Sequence, residues 1–174
     1  MSNKISLCMI VGNVAEYIER CLRSFAPVAD EIVLVRAIGA AKPDDTQAIA
    51  MRACRELGKP LVWGEYKNKP EHADWPHVDN FAAARQMSFD LAMNDYCFWC
   101  DSDDILESGA EHVRAHAAAA KFDAHVFPYK ISTLGVSIPR ERLRLSWIHV
   151  WSGSRMKFDS VVRASWTSAS GSAG

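Results

Sequence analysis

The sequence lacks several features that would assign its 174 residues to a specialised class of protein. Its net charge is only −1 and charges of both signs are interspersed, so no basic surface for nucleic acid or an anionic membrane is expected. No apolar run is long enough to cross a bilayer. A strand-like run follows directly after Met1–Lys4, so no signal peptide is expected. We therefore expect a cytoplasmic protein without a transmembrane segment and without a nucleic-acid partner.

A disulfide framework is also lacking, because the five cysteines are odd in number and scattered through apolar segments. Such usage is typical of a reducing compartment. Cys97 and Cys100 have the spacing of a redox or zinc motif, but they fall in a predicted strand. Residues three apart in a strand point to opposite faces, so we expect the two thiols not to meet.

Short apolar runs alternate with segments of helical periodicity as far as Tyr129. This alternation predicts one α/β domain, with a right-handed, mostly parallel, Rossmann-like sheet and helices on both faces. The predicted strands are Ile5–Val11, Glu31–Val35, Pro60–Gly64, Tyr96–Cys100 and Ala124–Tyr129. The predicted helices contain Ile18–Phe25, begin at Asp44 or Asp45, run from Asp79 to about Met93, and run from Glu107 to Lys121. The aromatic loop from Glu65 to Val78 either forms a lid or packs on the sheet.

The pattern weakens towards the C-terminus. Ile131–Leu134 and Leu143–Trp151 are expected to form antiparallel strands around a turn at Pro139–Arg140. From Ser152 onward the composition shifts to Ser, Gly and Ala, which offer little apolar surface to bury. We therefore predict a domain over residues 1–151 and a poorly ordered tail over residues 152–174.

An acidic cluster, Asp101-Ser102-Asp103-Asp104, follows the predicted strand Tyr96–Cys100. Carboxylates this close repel one another unless a cation lies between them. Oxygen ligands favour Mg2+ or Mn2+, and the carboxyl end of a strand in an open α/β sheet is where ligands bind. The cluster therefore predicts a site for a metal and a diphosphate. The alternative is a solvated turn in which Asp104 or Ser108 caps the next helix.

Five segments, in this order and spacing, resemble the nucleotide-sugar half of family 2 glycosyltransferases, which have the GT-A fold. The resemblance extends from Lys4 to about Leu106 and more weakly to Tyr129. It implies a metal-dependent transferase that moves a sugar from a nucleotide-diphosphate sugar donor to an acceptor hydroxyl with inversion. The acceptor, a glycan, lipid or protein, is not specified, and it could bring the chain to the inner membrane surface. The segments are Ile5–Asn13, Ile18–Ser24, Asp30–Val35, Phe81–Arg85 and Trp99–Leu106.

The acidic cluster matches the Asp-x-Asp motif of that family. The match implies that Asp103 ligates Mn2+ or Mg2+ bridging the diphosphate, and that Asp101 contacts the ribose or metal-bound water and shares the metal site. Ser102, which lies between them in the sequence, is expected to bind the donor. Asp104 matches an additional acid that supports the metal or the donor sugar, so Asp103 and Asp104 are the predicted catalytic residues.

Three further residues lie at positions that belong to the donor side of the family's site. Arg85 matches a basic residue near the donor, its alternative being an ion-paired helix residue. Asn13 ends the first strand, where the nucleotide pocket begins. Arg36 stands where the family usually has an Asp that reads the base, a reversal of charge that argues against a uracil-specific pocket.

The general base is not matched, and this leaves other functions open. Asp159 is a weak candidate, with Glu141 next. One alternative is therefore a truncated or degenerate protein that binds a nucleotide sugar without turnover. A further alternative is a nucleotidyltransferase, although that class usually has a Gly-rich, basic loop after the first strand and Gly12–Ala15 is neither.

Overall fold

The computed structural model describes residues 3–119, 124–131, 136–145 and 165–168. Within these ranges the chain forms strands and helices that alternate through its first half. The strands are β1 (Ile5–Val11), β2 (Glu31–Arg36), β3 (Leu61–Glu65), β4 (Tyr96–Trp99), β5 (Asp104–Ser108), β6 (Ala124–Ile131), β7 (Val136–Leu145) and β8 (Ser165–Ser168). The helices are α1 (Ile18–Phe25), α2 (Thr46–Glu56), α3 (Phe81–Asp90) and α4 (Ala110–Ala119), and Pro70–His72 forms one 3-10 turn.

The strands form one sheet in the order β3-β2-β1-β4-β7-β6-β8-β5. The pairs β3-β2, β2-β1 and β1-β4 are parallel, as the alternation predicts. Beyond β4 the sheet is mixed, because β7 is antiparallel to both β4 and β6. The chain proceeds from β1 outward to β3 and then returns to β4, so the strand order reverses between β1 and β4. Ligands of open α/β sheets bind at such a reversal, beside the carboxyl ends of the strands.

Helices cover both faces of the sheet, as predicted. In β1, Leu7 and Met9 face the main core with α1, α2 and α4, whereas Cys8 faces the smaller cluster beneath α3. This alternation is the period of two expected of a strand that is buried on both sides. Cys97 and Cys100 lie in these two different clusters, so the predicted separation of their thiols is confirmed.

Three predicted boundaries are wrong. Residues 104–108 form β5, which pairs with β8, so neither Asp104 nor Ser108 caps a helix, and α4 begins only at Ala110. Asn80 rather than Asp79 caps α3, since its side chain accepts a hydrogen bond from Ala83 N at 3.0 Å. α3 also ends at Asp90, before Met93.

The predicted turn at Pro139–Arg140 is also wrong, since both residues lie within β7. Pro139 pairs with Pro128 of β6, and neither proline falls in the registers that join β7 to β4 or β6 to β8. The sheet tolerates proline where no ladder hydrogen bond is required. Within the predicted tail, Ser165–Ser168 forms β8 between β6 and β5. The division into residues 1–151 and 152–174 stays a prediction.

None of the helices in the described ranges is both long enough and apolar enough to span a membrane.

Candidate functional site

The acidic cluster lies at the carboxyl end of β4, beside the reversal of strand order. Its backbone forms a tight turn in which Asp104 N donates to Asp101 O at 3.0 Å. The Asp104 carboxylate is fully buried and accepts a hydrogen bond from Asp101 N at 3.0 Å. Asp104 therefore fixes the shape of the turn, whereas Asp101, Ser102 and Asp103 remain partly exposed at its rim.

Arg85 of α3 provides a cation at this cluster. Its guanidinium donates to Asp101 Oδ1 at 2.9 Å and to the carbonyl oxygen of Cys100 at 3.4 Å. It also lies over the ring of Trp99, 4.6 Å from the centroid, which fixes the plane of the fork. The Arg85 and Asp101 side chains are 22% and 45% exposed, so the ion pair lies at the surface of the strand edge. Repulsion within the cluster is thus reduced by a side chain from another element.

Asp103 has an electrostatic effect on the loop after β1. The Glu16 carboxylate raises the pKa of Tyr17, and the charge of Asp103 contributes further in the same direction. Tyr17, just before α1, is therefore within electrostatic range of the cluster.

The carboxylates of the acidic cluster fit a metal ion that is held jointly by the protein and a diphosphate. The described part of the chain contains no group of three or more His, Cys, Asp or Glu side chains arranged to hold a metal ion by themselves. A Mg2+ ion at a phosphate site is usually held by only one or two carboxylates together with substrate phosphates and water. Asp101 and Asp103, partly exposed at the carboxyl end of a central strand, match that requirement.

Asn13 joins the loop after β1 to the loop before α2. Its side-chain amide donates to the carbonyl oxygen of Lys42 at 2.9 Å, and its oxygen accepts from Asp44 N at 3.1 Å. Asp44 in turn accepts from Thr46 N and Ala15 N. Burial alone would raise the pKa of Asp44, but these hydrogen bonds outweigh it and lower the pKa below its usual value. Asn13 is thus part of the framework of this edge, and its predicted contact with the donor stays a prediction.

Arg36 ends β2 and forms an ion pair with Glu65, its register partner at the end of β3. The guanidinium also lies over Trp63, 5.8 Å from the ring centroid. A cavity of about 370 Å3 opens beside the pair, and Ile38, Tyr66 and other residues of the adjoining loops line it.

The long loop after β3 is organised by Asp79. The Asp79 carboxylate is 2% exposed and accepts from Tyr66 Oη at 2.8 Å and from Lys69 N at 2.9 Å, with His72 Nδ1 at 3.3 Å. The hydrogen bond from Lys69 N, together with those from Tyr66 and His72, lowers the pKa of Asp79 to about 2. One carboxylate therefore holds three points of the loop.

This loop packs against the loop that follows β2. The φ of Gly39 is +58°, and a Cβ there would lie 2.4 Å from the carbonyl oxygens of both Trp75 and His77. Trp75 stacks on His72 with ring centroids 3.9 Å apart. Residues of the two loops line a second cavity of about 240 Å3, together with Gly12 and Asn13 after β1. The backbone of this loop therefore packs on the adjoining loop, whereas the Trp75 side chain is exposed.

As the pH is lowered, the free energy of unfolding of Asp79→Asn should fall less than that of the parent. Because the folded-state pKa is below the unfolded value of 3.8, the ionised carboxylate stabilises the fold above that value. This contribution is lost as the pH falls from about 4 through the folded pKa of about 2. Urea denaturation at pH 5, 4 and 3 should show the parent's advantage over the variant shrinking with each step. Asp90→Asn, an exposed change on α3, should retain the parent's profile, and the same profile in Asp79→Asn would contradict this assignment.

The structure brings Arg85 and Asp101 together in an ion pair, whereas Arg36 ends β2, two strands from β4. The place of Asp103 in the site stays a prediction. The side chain of Glu141 and the whole of Asp159 lie outside what the structure describes, so neither base assignment is tested. The sequence reasoning missed Glu65 and the loop-organising role of Asp79. The signal for Glu65 would have been that a basic residue, Arg36, and an acidic residue, Glu65, each directly follow a predicted parallel strand.

Sequence comparison detects one partial relative. No protein-family model matches the chain. A TPR repeat-containing protein from Synechococcus elongatus is 34% identical over 110 residues, which is 62% of this chain and 23% of that protein. The chain thus spans less than a quarter of the length of that curated relative.

Solved structures share the fold at low sequence identity. TarS from S. aureus is 20% identical, with a TM-score of 0.59 over 79% of this chain and 38% of that chain. The mannosyltransferase PcManGT from Pyrobaculum calidifontis, in complex with GDP-Man and Mn2+, is 16% identical, with a TM-score of 0.54 over 73% of this chain and 35% of that one. A protein of Bacillus anthracis named as a glucose-1-phosphate thymidylyltransferase is 9% identical, with a TM-score of 0.61 over 95% of this chain and 89% of that one. The chain therefore shares the GT-A, Rossmann-like α/β fold with these structures.

Proposed function

We propose that this chain is a glycosyltransferase of the family 2 type that takes a sugar from a nucleotide-diphosphate donor in a reaction dependent on Mn2+ or Mg2+. The observation that carries the proposal is the turn at residues 101–104, where two partly exposed carboxylates lie at the carboxyl end of β4. They adjoin the reversal of strand order, and Arg85 is ion-paired to one of them. An anionic diphosphate would meet both a guanidinium and a metal-binding edge there.

Each side chain of the turn has a different part in holding the donor. Asp101 and Asp103 would hold the divalent ion, which supplies neutralisation of the leaving diphosphate when bound. Arg85 orients Asp101 and retains N–H donors suited to phosphate or sugar oxygens. Asp104 stays buried and keeps the turn in shape through its hydrogen bond with Asp101 N.

Transfer with inversion requires an acceptor hydroxyl to attack the sugar carbon opposite the departing diphosphate. The bond from that carbon to the diphosphate oxygen breaks as the new bond forms, and the hydroxyl proton passes to a base. Asp159 remains the proposed base, with Glu141 as the second candidate. The acceptor is proposed only as a glycan, lipid or protein hydroxyl.

A nucleotidyltransferase is the second candidate function. The observation in its favour is that the Bacillus anthracis protein covers 95% of this chain and is itself covered over 89% of its length. The loop Gly12–Ala15 counts against it, because it is neither Gly-rich nor basic and would offer little to a triphosphate. The two candidates differ in the bond that breaks, and hence in the product released.

Product analysis should distinguish the two functions. We expect the purified chain with Mn2+ and a panel of nucleotide sugars to release nucleoside diphosphate, and to release none after the metal is removed with a chelator. A nucleoside triphosphate and a sugar 1-phosphate are expected to yield no pyrophosphate. Release of pyrophosphate would favour the nucleotidyltransferase, whereas metal-dependent binding of nucleotide sugars without product would indicate a non-catalytic binding protein. Absence of any metal-dependent nucleotide binding would overturn the proposal.

A further inference from the structure

The ion pair of Arg36 and Glu65 lines a cavity of a size that admits a small ligand. The volume of about 370 Å3 is within the range of about 300–1,000 Å3 typical of such sites. The two side chains are register partners on adjacent parallel strands, so they emerge side by side from the same edge of the sheet. Arg36 is 18% exposed and Glu65 is 44% exposed, so both are accessible from the cavity.

The cavity and the acidic cluster are separated by a distance suited to a nucleotide. In the order β3-β2-β1-β4, β2 lies two strands from β4. Strands lie about 4.8 Å apart, so the ends of β2 and β4 are about 10 Å apart. A nucleotide whose diphosphate lies at Asp101 and Asp103 would thus extend its base along the edge towards Arg36. This step rests on the proposed function.

The pair offers hydrogen-bonding groups in a definite order. An arginine presents five N–H donors and no acceptor, whereas a carboxylate presents two acceptor oxygens and no donor. The ion pair joins one guanidinium nitrogen to one carboxylate oxygen, which leaves further donors on Arg36 and acceptor sites on Glu65. The guanidinium also makes a cation–π contact with Trp63, which favours its position over the ring. A matching base would need an acceptor beside Arg36 and donors beside Glu65.

Guanine has this arrangement on one edge. Its O6 is an acceptor, and the adjacent N1–H and N2–H2 groups are both donors. Uracil has an N–H between two carbonyl oxygens, so its second oxygen would face the Glu65 carboxylate. Adenine offers one amino donor and one ring acceptor, followed by a C–H that bonds to neither residue. Cytosine likewise offers a single amino donor beside a ring acceptor. Guanine is therefore the base that offers two adjacent donors to the carboxylate together with an acceptor for the guanidinium.

We propose that Arg36 and Glu65 together select guanine, so that the donor of this chain is a guanosine-diphosphate sugar. Arg36 donates to O6, and the Glu65 carboxylate accepts from N1–H and N2–H2. Glu65 is a specificity-determining residue. Arg36 then contacts the nucleotide base itself, in place of the Asp that the family usually has at the end of the second strand.

Calorimetry with nucleoside diphosphates in the presence of Mn2+ tests this assignment. We expect GDP to bind at least about tenfold more tightly than UDP or ADP, as one matched bidentate contact would provide. Inosine diphosphate lacks only the N2 amino group, and it should bind more weakly than GDP. In Glu65→Gln the advantage of GDP over inosine diphosphate should disappear. In Arg36→Gln both GDP and inosine diphosphate should lose affinity relative to ADP, because both present O6 to Arg36, whereas the advantage of GDP over inosine diphosphate should remain. Arg55→Gln, an exposed charge removal on α2, is the matched control and should leave every ratio unchanged.

The outcomes separate this inference from the function on which it rests. If GDP, UDP and ADP bind within about twofold of one another, or if UDP binds most tightly, the inference is overturned and the transferase proposal stands. The inference is likewise overturned, and the transferase proposal again stands, if Glu65→Gln retains the parent's preference for GDP over inosine diphosphate. If no nucleoside diphosphate binds the parent in the presence of Mn2+, the proposed function itself fails.

Discussion

Asp103→Asn should abolish the Mn2+-dependent gain in nucleoside-diphosphate affinity, a loss of at least about 100-fold. Changing groups that only support a metal ligand already costs about 10–100-fold in metal affinity, so loss of a ligand should cost no less. Asparagine retains the size of the side chain but not its charge, and Asp103 is partly exposed. The fold should therefore remain intact. Titration of GDP and UDP with and without Mn2+, alongside a denaturation curve, measures both effects.

Two comparisons make this result specific. Asp90→Asn removes one exposed carboxylate from α3 and should leave metal-dependent binding unchanged. Asp104→Asn alters the buried carboxylate that accepts from Asp101 N, and it should weaken both the turn and nucleotide binding. Loss of binding without loss of stability thus distinguishes a metal ligand from a positioning residue. Asp103→Asn that binds GDP with Mn2+ as tightly as the parent would refute the assignment of the metal site.

The parallel half of the sheet is predictable because each of its strands is a short, almost continuous apolar run. Ile5–Val11 has the predicted bounds, and Glu31–Arg36 is longer than predicted by one residue. Strands buried on both faces need apolar residues at every position, so the pattern is strong and local. The signal is equally local at the end of β4, where polarity changes abruptly at Asp101.

The second half of the sheet is less predictable because its strands depend on distant partners. Asp104–Ser108 contains three acidic or hydroxyl residues, and it is a strand because it pairs with Ser165–Ser168. Nothing within its five residues indicates that partner. The same reason explains why the sequence pattern predicts a turn at Pro139, since its partner Pro128 lies across the β6–β7 pairing.

The candidate site likewise has one part that local sequence predicts and another part that depends on distant partners. Asp101 and Asp103 are close in sequence, so their shared position follows from one strand end. The cation at the cluster could be anticipated from like-charge repulsion, but its identity as Arg85 depends on how α3 packs. Glu65 and Arg36 are 29 residues apart and meet only because β2 and β3 are in register. Long-range register is the information that residue patterns alone do not supply.

Phe98→Ala should lower the free energy of unfolding by about 3–5 kcal/mol, the range for truncating a buried aromatic side chain. Phe98 is fully buried in the main core, and its ring lies 5.7 Å from that of Phe25 on the neighbouring helix α1. It also occupies β4, shortly before the first carboxylate of the acidic cluster. The cavity left by alanine would remove contacts from both the sheet and α1. Urea denaturation of the ligand-free chain measures the change.

Phe81→Ala is the matched control, because it removes the same atoms from a side chain that is 67% exposed. It should change the unfolding free energy by less than about 0.5 kcal/mol. A similar small change in Phe98→Ala would mean that the core beneath β4 is not packed as described. The comparison bears on function as well, since Asp101 and Asp103 are held to the sheet by β4. If Phe98→Ala remains folded, its nucleotide affinity should fall along with its stability, whereas in Asp103→Asn affinity should fall alone.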